Sequence, residues 1–327
     1  MIPDRRLSRR AFGGLLASLS ALAVSAAART PARAETATVR IGYQRSSTLI
    51  TLLKTNGALE KALQPLGVEV SWHEFTSGLP LLEALNLGKI DVSADVADTV
   101  PVFAQAAGAK LVFFAEEGPS PTAQAILVPK DSPITSVAGL KGKRVAVTKG
   151  AGSHYLLLAA LASAGLSFKD ISPAYLTPAD GRAAFVSGNV DAWVAWDPFL
   201  ATTQQQSGAR VLADGAGLAG YKRYYLTTAS FAKEHGPVLA VLFDQLKATS
   251  AWVKQHPAEA ARVLAGLWNI DAGAVETANG RRSYAVAPVT RQGLAEQQKI
   301  ADAFVAEGLV PKPVDTADVG IWQPAGG

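Results

Sequence analysis

The chain has 327 residues, 49% of them apolar, and no cysteine, so its composition is that of a packed globular protein without disulfides or thiolate metal sites. Its formal net charge of +4 comes from one end: residues 1–34 hold six of the 31 basic and one of the 27 acidic residues, which leaves 25 basic against 26 acidic, a net charge of −1. The remaining 293 residues therefore give no indication of nucleic-acid binding and suffice for two domains.

Residues 1–34 have the parts of a cleaved export signal. The pair Arg9-Arg10 precedes an apolar run rich in Ala, Leu and Gly, and a small-x-small triplet, Ala32-Arg33-Ala34, follows it. Paired arginines are typical of the twin-arginine route. The run is too weakly apolar for a membrane-spanning helix. We therefore expect cleavage after about Ala34 and a mature protein that is free in the periplasm.

Strand-like and helix-like segments alternate after this signal. Segments with strand-like character lie at 37–43, 68–75, 90–95, 110–117, 144–150 and 190–196. Segments with helical spacing of apolar residues lie at 48–63, 78–88, 100–108, 153–165, 179–188, 237–254, 258–268 and 291–310. Strands separated by helices of this length indicate an α/β fold built from βαβ units with mainly parallel sheets.

The alternation breaks twice, at 125–143 and at 221–236, which indicates two α/β units rather than one. The sequence beyond the second break is helical, as expected if the chain returns to the first unit. We therefore predict two lobes joined by two hinge crossings. Lobe 1 would consist of residues 35–125 and 229–327, and lobe 2 of residues 126–228.

Polar residues follow the predicted strands, at the positions where ligands gather in open α/β sheets. The residues are Gln44, Arg45, Ser46, Ser47, Thr48, Thr76, Ser77, Gly78, Asp95, Asp98, Thr99, Ser153, His154 and Asp197. Unpaired N–H groups at helix N-termini suit such positions to an anion. Each residue alone is as well suited to cap a helix, so the prediction of a cleft depends on their shared position.

None of the enzyme patterns that these residues suggest is complete. The segment "GAGSHY" has Tyr155 in place of the third glycine of a dinucleotide fingerprint. Ser153 and His154 are helical neighbours and do not face each other, and the four histidines lack the spacing of a zinc site. We predict a binding protein without cofactor or metal, while a catalytic triad drawn from distant residues stays open.

Several segments resemble the aliphatic-sulfonate-binding proteins of bacterial ABC importers, relatives of which bind taurine and nitrate. The resemblance runs from about Val39 to Pro324, and "KGAGSH" (149–154) and "NVDAWVAWDP" (189–198) are its most specific parts. It implies a two-lobed periplasmic binding protein fold, type II-like, that closes on an organosulfonate anion. It also implies delivery to an ABC permease and its ATPase for sulfur acquisition. We expect a monomer.

Carried over residue by residue, the resemblance implies a set of ligand-binding residues: Gln44, Gly78, Thr99, Ser153, His154, Trp196 and Asp197. Further candidates are Tyr43, Ser46, Asp98, Gly152 and Tyr225. Preformed N–H donors can hold a permanently charged sulfonate, and aromatic side chains can pack its tail. Trp193 is out of register with Trp196 and is predicted to lie in the core. Asp197, before a proline, is a candidate helix cap or latch between the lobes.

The stretch "SADVADTVP" (93–101) departs from the family pattern because it holds two aspartates. A desolvated Asp95 that faced the cleft would repel a sulfonate. Either Asp95 turns outward, or the ligand brings a cation, as an aminosulfonate would. Other ligands on the same fold are taurine, a sulfate ester, an arylsulfonate and a pyrimidine precursor. An enzyme on this scaffold is the alternative from another class.

Overall fold

Strand β1 (Ala37–Gln44) begins the part of the chain that the computed structural model describes, residues 37–324, and the predicted export signal lies outside it. Alternate residues of β1 point to opposite faces of the sheet. Val39, Ile41 and Tyr43 enter one hydrophobic cluster. On the other face, Gly42 lies against the side chain of Ile90.

Eleven further strands and twelve α-helices follow within residues 37–324. The strands are β2 (Val68–Phe75), β3 (Val92–Ala97), β4 (Leu111–Glu117), β5 (Gln124–Val128), β6 (Arg144–Val147), β7 (Ser172–Tyr175), β8 (Ala192–Trp196), β9 (Arg210–Asp214), β10 (Arg223–Thr228), β11 (Val286–Ala287) and β12 (Gly320–Ile321). The helices are α1 (Thr48–Asn56), α2 (Ala58–Leu63), α3 (Gly78–Asn86), α4 (Thr99–Ala106), α5 (Gly152–Ser163), α6 (Pro178–Val186), α7 (Phe199–Ser207), α8 (Ala229–Glu234), α9 (Gly236–Gln255), α10 (Pro257–Trp268), α11 (Ala272–Arg281) and α12 (Ala295–Ala306).

The strands form two mixed sheets. The large sheet has the order β11-β4-β10-β3-β1-β2, with β12 beside β4, and the small sheet has the order β7-β6-β8-β5-β9. In the large sheet β10 and β11 run against the other strands, and in the small sheet β5 does so. The predicted α/β class with two mainly parallel sheets is therefore confirmed.

The chain passes between the sheets twice, at 118–123 and at 215–222. The predicted lobe boundary after residue 228 is wrong by one strand, because β10 pairs with β3 and β4 of the large sheet. The first boundary, after residue 125, is late by two residues, since β5 of the small sheet begins at Gln124. A strand's own sequence does not reveal which sheet it joins, so both crossings were located only roughly.

The returning C-terminal helices cover both sheets. Residues of α9 and α10, among them Leu242 and Leu264, pack in the same cluster as β1. Ile300 and Phe304 of α12 pack instead with Leu157 of α5, on the small sheet. Trp193 is buried in a separate cluster of the small sheet, as predicted. No helix in residues 37–324 is long and apolar enough to cross a membrane.

Candidate ligand-binding site

A cavity between the two sheets is lined in part by three of the predicted strand-end residues, Gln44, Ser46 and Gly78. We call it the central cavity, and it is lined by Gln44, Ser46, Gly78, Ala97, Val100, Ala151, Gly152, Trp196, Tyr221 and Arg223. Gln44, Ser46, Gly78, Gly152 and Trp196 of this set were predicted from the sequence. The large-sheet half contributes Gln44, Ser46, Gly78, Ala97 and Val100, and the small-sheet half contributes Ala151, Gly152 and Trp196. Tyr221 lies in the second crossing and Arg223 in β10.

Chain geometry explains why these residues meet. Gln44, Ala97 and Trp196 end strands β1, β3 and β8, while Gly78 and Gly152 begin helices α3 and α5. The first N–H groups of a helix have no partner inside the helix, and no side chain caps α3 or α5. Each N-terminus carries roughly half a positive charge. Two such partial charges, one from each half of the molecule, therefore lie at the cavity wall.

The two halves approach each other closely at this cavity. A Cβ atom added to Gly152 would lie 2.9 Å from the Cβ of Ala97 and nearer still to the Tyr221 ring. A Cβ atom added to Gly150, whose φ is +69°, would lie 2.7 Å from the side chain of Leu79 in α3. The central cavity has a volume of about 20 Å³, which is room for roughly one water molecule. The two halves are therefore closed on each other at this cavity.

Four charged side chains form a buried cluster beside the cavity. Arg223 forms an ion pair with Asp95, and Arg282 forms ion pairs with both Asp95, at 3.2 Å, and Glu117. All four side chains are at most 4% exposed. Two guanidinium groups balance two carboxylates, so the cluster is formally neutral.

This cluster corrects the expectation for Asp95. Asp95 neither turns outward nor waits for a cation on the ligand, because Arg223 and Arg282 neutralise it within the protein. The two arginines lie in β10 and directly after α11, far from Asp95 in sequence. Reading the "SADVADTVP" stretch alone therefore could not reveal them.

Two buried polar side chains near the cavity have no hydrogen-bond partner within the described chain. They are Ser153, through its Oγ, and Gln124, through both atoms of its amide. Ser153 follows Gly152 in α5, and Gln124 pairs across the small sheet with Trp196. Buried polar groups normally have partners, so Ser153 and Gln124 are suited to contact a ligand.

His154 turns away from the cavity, although it was predicted as a ligand contact. Its Nδ1 accepts a hydrogen bond from the Gly150 N–H at 3.1 Å, and its ring lies among Phe103, Phe168, Tyr175 and Phe304. Burial, with Lys149 nearby, lowers the pKa of His154 to about 3. A neutral imidazole thus shapes the loop before α5. Successive helical residues point in different directions, which explains why Ser153 and His154 differ.

Two predicted tyrosines also lie outside the cavity. The Tyr43 hydroxyl accepts a hydrogen bond from Lys54 at 2.6 Å and lies 3.2 Å from Glu74, on the opposite strand face from Gln44. Tyr225 is fully buried in the core and donates to Glu117 at 2.7 Å.

Three further predicted residues cap or join helices. Asp197 accepts the Ala201 N–H at 3.0 Å and pairs with Arg281 at 3.2 Å, which is the cap and latch arrangement considered above. Asp98 accepts the Lys222 N–H at 3.1 Å. Thr99 is buried at the first position of α4 and makes a long contact, 3.5 Å, with Asp98. None of the three lines the central cavity.

Arg223, Tyr221 and Gln124 are the polar residues in or beside the lining that sequence reasoning missed, and Ala97, Val100 and Ala151 are the apolar ones. One signal was available, because an arginine that starts the apolar run "RYYLTT" of β10 needs a buried partner. The others follow only from the tertiary arrangement.

A larger groove lies behind the second crossing, with a volume of about 360 Å³. Its wall includes two carboxylates, Asp98 and Glu296, and one ammonium group, Lys299. This charge balance is unfavourable to an anion. Within residues 37–324 no group of three His, Asp or Glu side chains is placed to hold a metal ion.

Comparisons with known proteins show the family to which the chain belongs. A family model described as NMT1/THI5 like matches residues 64–260. A relative from Escherichia coli (strain K12), named as an aliphatic sulfonates-binding protein, is 41% identical over 321 residues, 98% of this chain and 97% of the relative.

Solved structures agree with the sequence comparison. The alkanesulfonate-binding protein SsuA from Xanthomonas axonopodis pv. citri, bound to MOPS, is 40% identical with a TM-score of 0.82, covering 88% of this chain and 99% of that one. The periplasmic aliphatic sulphonate binding protein SsuA from Escherichia coli is 42% identical with a TM-score of 0.80, covering 89% and 94%. At 16% identity and a TM-score of 0.63, the desulfurization enzyme DszB shares the fold alone. The chain belongs to the NMT1/THI5-like family and, within it, to the aliphatic-sulfonate-binding proteins, with the predicted periplasmic binding protein fold.

Proposed function

We propose that this protein is an extracytoplasmic receptor that binds an aliphatic sulfonate in the central cavity and delivers it to an ABC permease and its ATPase for sulfur acquisition. The observation that carries this proposal is the convergence of the α3 and α5 N-termini, from opposite halves, on one cavity that Arg223 also lines. The names of the similar proteins support the same ligand class.

Sulfonate chemistry suits this arrangement. A sulfonate keeps its charge at any physiological pH, so its three oxygens are acceptors only and need donors rather than a proton-dependent partner. The first N–H groups of α3 and α5, the Ser153 hydroxyl and the Gln44 and Gln124 amides would supply those donors. Trp196 and Val100 would pack the organic tail.

Binding requires the halves to separate. A cavity of about 20 Å³ does not admit an organosulfonate. The crossings at 118–123 and 215–222 are the segments about which the halves would open. Closure onto the ligand would then remove the anion from water and strengthen each of its hydrogen bonds.

We further propose that residues 1–34 direct export by the twin-arginine route and are cleaved after about Ala34. The mature chain would act as a periplasmic monomer. The periplasmic location of the similar Escherichia coli protein supports this placement. The remaining ligand alternatives, taurine, a sulfate ester, an arylsulfonate and a pyrimidine precursor, would occupy the same cavity.

Binding without chemistry is the form of this proposal that the geometry favours. Among residues 37–324, the Oγ of Ser153 has no hydrogen-bond partner and therefore no general base. His154 uses its Nδ1 for the Gly150 N–H and lies in an aromatic enclosure. An enzyme on this scaffold would need a nucleophile and base in contact, which these residues do not form.

A thermal-shift panel tests the proposed ligand class. Purified mature protein is heated with alkanesulfonates, taurine, sulfate esters, arylsulfonates and the matching carboxylates. An alkanesulfonate at a hundredfold excess over its Kd should add about 2.7 kcal/mol to the free energy of unfolding, and carboxylates should add far less. A panel in which no sulfonate stabilises the protein contradicts the proposal. Release of sulfite during incubation would favour the enzyme instead.

A further inference from the structure

Arg223 occupies an unusual position in the central cavity. It lines the cavity and is 3% exposed, and its guanidinium lies 5.2 Å from the centre of the Tyr221 ring. One Nη donates to the Tyr221 hydroxyl at 3.0 Å, and the other meets Asp95. Its Nε has no hydrogen-bond partner within residues 37–324. A buried donor on the cavity wall is thus left without an acceptor.

Asp95 is paired with two arginines, although one cation would be enough to balance its charge. Its Oδ2 accepts from both Arg223 and Arg282, while its Oδ1 has no partner within the described chain. Arg282 does not line the cavity, and it also holds Glu117 and the Ser46 carbonyl. If Arg223 left Asp95, that carboxylate would still be paired with Arg282.

We propose that Arg223 is the cationic anchor of the sulfonate, and that Asp95 is an internal counter-ion which the sulfonate displaces from Arg223 when it binds. This inference rests on the proposed function and adds to it the charged contact of the site. In the closed protein Asp95 holds the guanidinium in place and keeps its charge compensated. A sulfonate oxygen then accepts a charge-assisted hydrogen bond from the Nη that Asp95 releases.

If the sulfonate displaces Asp95, substitutions of Arg223 and of Asp95 should change the affinity for the sulfonate in opposite directions. Removal of the guanidinium deletes a charge-assisted hydrogen bond to the ligand. Removal of the Asp95 charge deletes a competitor for that guanidinium and a like charge beside the ligand. A purely structural ion pair behaves differently, because loss of either partner disturbs the same wall of the cavity and weakens binding.

Isothermal titration of ethanesulfonate at pH 7.5 separates these cases. The proteins are the wild type, Arg223→Gln, Asp95→Asn and the control Arg144→Gln, whose exposed side chain lies at the start of β6, away from the cavity. Arg223→Gln should weaken binding by about 10- to 150-fold. Asp95→Asn should tighten it by at least about threefold, and the control should leave it unchanged.

Each outcome has a distinct meaning. If the wild type binds and Arg223→Gln binds equally well, or if both cluster variants weaken binding, the anchor role is overturned while the receptor function stands. If the wild type binds neither ethanesulfonate nor any other sulfonate of the panel, the proposed function itself fails. If Arg223→Gln does not fold, Asp95→Asn decides: tighter binding supports the anchor role, and unchanged or weaker binding overturns it.

Discussion

Ser153 and His154 are neighbours at the start of α5, yet their surroundings are opposite in character. Both side chains are fully buried. The Ser153 hydroxyl finds no acceptor or donor within the described chain, whereas His154 is held by the Gly150 N–H and by aromatic rings. The serine is therefore available to a ligand, and the histidine fixes the loop that presents it.

Ser153→Ala should separate binding from stability. Because the Oγ makes no hydrogen bond in the folded chain, its loss should change the free energy of unfolding by no more than about 0.5 kcal/mol. Affinity for ethanesulfonate should fall by about 2- to 10-fold, the value of one lost hydrogen bond. Urea unfolding and calorimetric titration measure the two quantities. Ser163→Ala, at the exposed end of the same helix, is the control. Unchanged affinity in Ser153→Ala would remove this residue from the site.

Asp98 gives the protein a measurable pH dependence. Burial raises its pKa to about 7, although the N–H groups of Lys222 and Thr99 oppose the shift. Between pH 4 and 7 the folded state therefore keeps a proton that the unfolded state has lost, so this carboxyl contributes stability at low pH that is lost as the pH rises through 7.

Asp98→Asn isolates that contribution because asparagine does not titrate. The free energy of unfolding of the wild type minus that of Asp98→Asn should decrease from pH 4 to pH 7 and level off above. Urea denaturation at half-unit pH intervals measures this difference, in which the titrations of other groups cancel. A difference that is constant, or that increases with pH, would show that Asp98 has an ordinary pKa.

The elements that the sequence predicts are those with clear periodicity. Strands β1 and β2 alternate regularly, and their predicted bounds differ from the observed ones by at most one residue. The predicted helix at 48–63 is two helices, α1 and α2, because Gly57 adopts a left-handed conformation, with a φ of 65°. The sequence beyond 236 was predicted to be helical, but no separate segment was predicted at α11, because the sequence "AGAVETANGR" offers no apolar stripe.

The same limits explain the candidate site. The strand-end rule located Gln44, Ser46 and Gly78 because it depends only on element boundaries and the direction of the strands. Gly152 and Trp196 were predicted through the family resemblance instead. Arg223 and Arg282 escaped it because their positions depend on which strands pair and where the helical tail returns. A carboxylate such as Asp95 cannot be assigned a role until its distant partners are known.

Gly152→Ala tests the close approach of α5 to the large-sheet half. The added Cβ would overlap the Tyr221 ring and lie 2.9 Å from Ala97, on the far side of the cavity. The three atoms nearest to the added Cβ belong to Tyr221 and Ala97, not to the half that carries α5, so we expect the open form to fold and the closed form to be disfavoured. We expect at least a tenfold loss of ethanesulfonate affinity by titration calorimetry.

The matched control for this variant is Gly266→Ala in α10, where a Cβ meets no atom within 4 Å. Alanine in a helix interior should stabilise the protein by about 0.5–1 kcal/mol and leave affinity unchanged. Equal affinities for Gly152→Ala and the wild type would mean that the cleft does not close at this point.

For the molecule as a whole, α11 and α7 connect the two halves away from the crossings. Arg281 pairs with Asp197, at 3.2 Å, and with Gln204, and Gln205 contacts Asp271 at 2.7 Å. Burial raises the pKa of Asp197 to about 6, and Arg281 opposes that rise. A carboxylate buried by closure thus finds its cation on the other half, which favours the closed form.

Arg281→Gln should weaken this closed form. Arg281 is 23% exposed, so solvent screening makes its ion pair weaker than a fully buried one. We expect the free energy of closure to become less favourable by about 1–2 kcal/mol, which corresponds to a 5- to 30-fold loss of ethanesulfonate affinity. Small-angle scattering of the unliganded variant should show a larger radius of gyration than the wild type. Arg262→Gln, exposed on α10, is the control. An unchanged affinity and radius would show that the pair does not act as a latch.

The central claim is that donors from both halves converge on one permanently charged group and hold it unchanged. A crystal structure of the mature protein grown with ethanesulfonate tests it most directly. We predict intact ethanesulfonate in the central cavity, with its oxygens within about 3.2 Å of N–H groups at the starts of α3 and α5 and of the Arg223 guanidinium. Ethanesulfonate bound to one half alone, bound elsewhere, or cleaved would contradict the account.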